Sequence, residues 1–128
     1  MPSINPSKED KNIFYNNLYL YNAQIRSVYD GDTIRADIAL GFGIYINNQK
    51  IRLLNINAPE VRGKSKESGR KSRDYLRERI LGKKVIIKTH KDKQGKYGRW
   101  LAEIFINGEN INNTMVKLGY AKSFMKVS

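Results

Sequence analysis

Three segments of alternating apolar residues, a switch to a 3.6-residue period, and two further alternating segments predict a mainly β fold with α. In order these elements run β-β-β-α-β-β-α, the arrangement of a five-stranded barrel of the oligonucleotide-binding (OB-fold) type. The chain has 128 residues and a mass of 14.8 kDa, enough for one domain with a core and too little for two ordinary ones. The sequence divides into a polar arm over 1–17, read as flexible, and a single domain over 18–128.

The arm carries Pro2, Pro6 and Ser, Asn and Lys residues, which bury little. "LYLYNAQIRSVY" then alternates aromatic and β-branched residues, and "DTIRADIALGFGIYI" repeats the pattern after an Asp-Gly junction, so the two read as a hairpin. "NQKIRLLNIN" is a third strand. In "SKESGRKSRDYLRERILG" the period changes: Gly69, Ser72, Leu76 and Ile80 share one helical face, with the helix starting near Ser65 and Gly82 as its stop. "KKVIIKTHK" and "GRWLAEIFING" are the fourth and fifth strands, joined by "DKQGKY". A last helix in "INNTMVKLGY" places Ile111, Met115 and Leu118 on one stripe, with Asn112 as N-cap and Gly119 at the C′ position.

Composition narrows the chemistry. Without cysteine there is no disulfide, thiolate nucleophile or Cys-ligated zinc. A single histidine, His90, argues against a histidine metal site or a Ser-His triad. The longest apolar runs, "VII" and "IFI", are far too short to span a bilayer, and no membrane partner is expected. The N-terminus lacks a signal-peptide pattern, which favours an intracellular location, with a processed secreted form as the other option. Lys and Arg number 24 against 12 acids, a net charge of +12. Between Arg62 and Arg99 the only acids are Glu67, Asp74, Glu78 and Asp92. Such a field attracts polyanions, nucleic acid first, although a basic run also serves as a solvated face.

Four short segments can carry chemistry. "YDGDT" at 29–33 is a favoured turn, yet its two acids would also suit a hard cation, with Asp32 aimed into a cleft. "NINAPE" at 55–60 has the spacing of a capping box between Asn57 and Glu60. The following "VRGKS" lacks apolar periodicity, which leaves Asn57 and Glu60 free to converge with Asp32 at a strand exit. Arg52 stands between Ile51 and Leu53, where alternation alone explains an outward-facing arginine. "KYGRWL" presents Lys96, Tyr97 and Arg99 around a glycine. Two arginines, two or three acids and a basic field are the parts needed to hydrolyse a phosphodiester.

At this point the residues show a resemblance. "DGDTIRADI", "IRLLNINAPE" and "DKQGKYGRWLAEIFINGENINN" are similar to the three signature segments of the staphylococcal nuclease (thermonuclease) family, in order and with compatible spacing from about Ile25 to Phe124. The resemblance implies an OB-fold barrel and a calcium-dependent nuclease, cutting DNA and RNA to 3′-phosphate ends. By position it implies one calcium ion held by the Asp32 carboxylate, the main-chain carbonyl of Ala58 and the side chain of Asn57. It implies Arg52, Glu60 and Arg99 as catalytic residues, and Lys96 and Tyr97 as contacts to the phosphate end of a bound nucleotide. Asp30 belongs to the same acidic turn.

Two positions depart from that pattern. Asn57 stands where the family has a second calcium carboxylate; an amide oxygen still coordinates calcium, but one negative charge is gone and affinity follows charge count. Met125 stands where a substrate-contacting tyrosine is often found, and the chain ends soon after the second helix. The expected activity is a monomeric, calcium-dependent nuclease on DNA and/or RNA, with single strands favoured. The alternative is a non-catalytic nucleic-acid-binding OB module whose metal site has decayed, and a weaker one is a nuclease with a changed metal preference.

Overall fold

The computed structural model describes residues 7–16, 18–91 and 100–124. Its elements are helix α1 (Lys8–Asn16), strands β1 (Leu20–Asp30), β2 (Thr33–Gly41), β3 (Ile44–Leu53) and β4 (Ile56–Asn57), and helix α2 (Lys66–Ile80). Strands β5 (Lys84–Lys91), β6 (Trp100–Ile106) and β7 (Glu109–Asn110), helix α3 (Ile111–Lys117) and strand β8 (Lys122–Ser123) follow, and a short 3-10 turn at Gly63–Ser65 leads into α2. Strands β3-β2-β1-β5-β6 pair in that spatial order, and a parallel pairing of β3 with β6, from Ile51 opposite Trp100 to Leu53 opposite Ala102, closes them into a barrel. This is the five-stranded OB arrangement expected from the sequence, with α2 between the third and fourth barrel strands. No described helix is long and apolar enough to cross a membrane.

Alternation explains the core. Ile25, Ile34, Ile51, Leu53, Ile87 and Ile104 point inward from five strands, and Leu76, Ile111 and Met115 seal the barrel from the helices; all are fully buried. The buried residues of α2 are Gly69, Ser72, Leu76 and Ile80, the face its periodicity predicts. The helix starts after Ser65, and Gly82 at φ 74° ends it.

Several local expectations are corrected. The second strand does not run through "GFG": β2 ends at Gly41, which pairs with Ile44, and Phe42 and Gly43, both at positive φ, form the turn between β2 and β3. In α3 the N-cap is Asn110, whose side chain accepts from the Asn113 amide, and not Asn112. Asn112 lies inside the helix and is buried. Its Oδ1 accepts from Ile104 N at 3.1 Å, and its Nδ2 donates to the carbonyls of Leu54 at 3.1 Å and Ala102 at 2.9 Å. A polar residue this buried is stable only when so bonded. Leu118 is exposed, because the chain leaves the helix there. Gly119 does take the C′ position: its amide bonds Val116 O and that of Tyr120 bonds Met115 O, closing a Schellman motif. Within the 1–17 arm, Lys8–Asn16 is helical, an element its polar composition does not predict. The local signal is Ser7, whose Oγ accepts from Asp10 N at 3.1 Å, with Glu9 and Asp10 in the first turn.

Candidate active site

The β1–β2 turn and the end of β3 meet because of strand register. Thr33 lies opposite Arg52, and Leu53 N donates to Asp32 O at 2.8 Å, so the acidic turn sits directly across from the arginine. Asp30 and Asp32 are both buried. Gly31 separates them for a packing reason: a Cβ there would overlap Ser72 Oγ of α2 and come within 2.7 Å of Ala58 Cβ.

Asp32 is the hub. Its backbone amide donates to Asp30 Oδ1 at 3.0 Å, and its Oδ1 accepts from Thr33 Oγ1 at 3.0 Å. Its Oδ2 accepts from the Ala58 amide at 2.8 Å and from Arg52 Nη2 at 3.4 Å. Arg52 is therefore not an outward, solvated arginine; only 16% of its side chain is exposed. Nη1 donates to the carbonyls of Leu53 at 3.1 Å and Ile56 at 3.0 Å, which fixes the guanidinium plane. Nη2 also reaches Asn57 Oδ1 at 3.3 Å. The two Nη2 contacts are the long ones, so that edge is the one a phosphate oxygen can take over.

Asn57 caps no helix. It belongs to β4, which pairs antiparallel with β8 in the register Asn57 opposite Lys122. The structure thus brings Asp32, Arg52, Asn57 and the backbone of Ala58 together. Glu60 follows on an exposed stretch; its carbonyl accepts from Ser65 Oγ at 2.9 Å, and no described side chain bonds its carboxylate. Lys96, Tyr97 and Arg99 lie outside the described residues.

Burial and the neighbouring Asp32 push the Asp30 carboxyl up from 3.8 to about 6. Two acids in a dry turn thus repel, and a cation would relieve them. The available donors are all oxygen, as a hard cation requires. No described group of three or more Asp, Glu or His side chains forms a cage.

Sequence reading missed Thr33, the hydroxyl partner of Asp32, although it sits in the quoted "YDGDT". It also missed Ser72, whose fully buried Oγ has no hydrogen-bond partner among the described residues and faces the same turn. A concavity of about 920 Å³ lies away from these residues, lined by Leu20, Tyr45, Ile86 and Phe105 among others; none of the predicted site residues is in it.

A family model described as "Staphylococcal nuclease homologue" matches residues 50–128. Endonuclease YhcR of Bacillus subtilis is 31% identical over 114 residues, covering 81% of this chain and 9% of that protein. An uncharacterized endonuclease of Haemophilus influenzae is 33% identical over 106 residues, covering 82% and 53%. The thermonuclease of Staphylococcus hyicus is 26% identical over 99 residues, covering 75% and 55%. The chain thus spans about half or less of the length of these three relatives. With the family match running over more than half its residues and through the segment that carries Arg52, Asn57, Ala58 and Glu60, this chain belongs to the staphylococcal nuclease homologues.

Proposed function

We propose that the protein is a calcium-dependent nuclease that hydrolyses DNA and/or RNA to 3′-phosphate ends, acting as a monomer and on single strands first. The observation that carries this reading is the convergence of Asp32 Oδ2 and Asn57 Oδ1 on Arg52 Nη2, in a chain of net charge +12. Three relatives bear nuclease names, which supports the same reaction class.

The Asp32 carboxylate, the Ala58 carbonyl and the Asn57 amide oxygen would hold one calcium ion. When bound, calcium supplies Lewis-acid charge at the scissile phosphate and a site for the attacking water. Arg52, held flat by two carbonyls, presents its Nη2 edge to a phosphoryl oxygen, and Arg99 supplies a second forked donor against the charge of the five-coordinate transition state. Glu60 orients the water and takes its proton. Lys96 and Tyr97 contact the phosphate end of the nucleotide.

Asn57 favours one other reading. Asp32 is paired with Arg52 and the position at 57 is neutral, so a site short of charge could bind nucleic acid on its +12 surface without cutting. Cleavage of single-stranded DNA in calcium or chelator, by the natural chain, Asn57→Asp and Glu60→Gln, separates the two. The nuclease reading expects calcium-dependent cutting by the natural chain and a loss of at least a hundredfold in Glu60→Gln. Binding without cutting by the natural chain, with cutting restored in Asn57→Asp, would establish the binding module instead.

A further inference from the structure

β5 pairs with β1 from Leu20 to Gln24, so among the described residues no strand covers that edge of β1 near the acidic turn. Helix α2 lies there: Arg77 Nε and Nη2 both donate to Val28 O, at 3.2 and 3.1 Å. That bond settles which border of the helix runs along β1. One residue beyond each of the buried Gly69, Ser72 and Leu76 stand Arg70, Arg73 and Arg77, and with Lys66 they fall at i, i+4, i+7 and i+11, a single basic stripe. Tyr29 comes next along β1. Its neighbours Val28 and Asp30 are buried, alternation turns its ring outward, and it is 50% exposed. Its hydroxyl accepts from Arg62 Nη2 at 2.6 Å.

The pair is tethered to the active site at both ends. Tyr29 immediately precedes Asp30, and Arg62 is two residues beyond Glu60. We propose that Tyr29 and Arg62 form a nucleotide subsite flanking the scissile phosphate, and that the bound single strand continues from it along the Lys66–Arg70–Arg73–Arg77 stripe of α2. This rests on the nuclease reading above.

An outward aromatic beside a guanidinium is what one nucleotide of a single strand needs: a π-face for the base and a forked donor for the phosphate. The stripe then meets successive phosphates. Its charge is uneven, because Asp74 bonds Arg73 at 3.1 Å and lies 3.9 Å from Arg77. The effective cations are Arg62, Lys66 and Arg70, the end nearer the turn. A purely electrostatic face would need no aromatic, so base stacking is the distinguishing feature.

The test is binding of the whole chain, in chelator, to a short labelled single-stranded DNA and to the same strand with abasic sugars. Tyr29→Ala is expected to weaken binding of the normal strand about tenfold and to leave the abasic strand nearly unchanged. Tyr29→Phe keeps the ring and is expected to bind like the natural chain. Arg62→Gln and Arg70→Gln are each expected to weaken both strands and to lower the slope of log affinity against log salt by about 0.7. Both side chains are exposed, and a melting curve checks that each variant is folded.

Tyr29→Ala binding both strands as the natural chain does, or losing both equally, would overturn the subsite. So would a tenfold loss in Tyr29→Phe. If the natural chain also cuts DNA in calcium, such results sink the subsite alone. A natural chain that neither binds nor cuts removes the nuclease reading and the subsite together.

Discussion

The Ala58 amide donates to Asp32 Oδ2 at 2.8 Å, which pins the strand exit after β3 to the acidic turn between β1 and β2. The bond uses main chain on one side, so the residue type at 58 matters little to it. It uses the carboxylate on the other, so Asp32 is oriented before any ligand arrives. The same oxygen faces Arg52, whose own position depends on the carbonyls of Leu53 at the end of β3 and Ile56 at the start of β4.

Arg52→Lys should be more than a conservative change. A lysine carries the charge but cannot hold both Leu53 O and Ile56 O while facing Asp32 and Asn57. The expected cost is about 1–2 kcal/mol in urea unfolding, from the lost carbonyl bonds. Cleavage should fall by two orders of magnitude or more. Unchanged stability would show that the two carbonyls are satisfied without the guanidinium.

Asp30 sets a pH dependence. Its folded-state pKa, about 6, lies above the ordinary 3.8, so the folded chain holds a proton that the unfolded chain has lost between those values. The stability from this group is fully present below about pH 4 and is lost as pH rises through 6. Asp30→Asn removes that loss: in chelator it should match the natural chain at pH 4 and exceed it by roughly 2 kcal/mol at pH 8. Calcium should narrow the gap at pH 8, since a bound cation favours the ionised pair. A difference independent of pH would place the effect outside this carboxyl.

Gly69→Ala should disturb both packing and activity. A Cβ at 69 would overlap the Glu60 carbonyl oxygen and lie 2.8 Å from Val61 N, both of them backbone that yields little. The expected destabilisation is about 2–3 kcal/mol. Because the displaced segment carries Glu60, cleavage should fall even at temperatures where the variant is fully folded. Ser68→Ala, one residue away and exposed, serves as the control, with a change within about 0.5 kcal/mol.

Asn112→Ala should cost about 2–4 kcal/mol in chemical denaturation, because it removes a buried amide that bonds Ile104 N, Leu54 O and Ala102 O. Asn110→Ala, at the true N-cap, should cost only about 1 kcal/mol. The reverse order would mean that Asn112 caps the helix after all.

Periodicity and local chemistry were enough for the barrel's five strands, the place and buried face of α2, and the Gly119 stop of α3. These depend on spacing along the chain and on side-chain types, which a sequence displays directly. The acids at 30 and 32 and the arginine at 52 were legible as candidates for the same reason. For Asn57 the sequence leaves two readings, a helix cap by its spacing to Glu60 and a neighbour of Asp32 at the strand exit; the pairing of β4 with β8 and the reach of Arg52 Nη2 place it away from any helix end. Asn112 and Leu118 both lie in a helical window, but which of them is buried depends on where β6 and the turn after β3 come to lie. Strand register, helix placement and the partners of buried polar groups arise from residues far apart in the chain, and those contacts exist only once the barrel has closed.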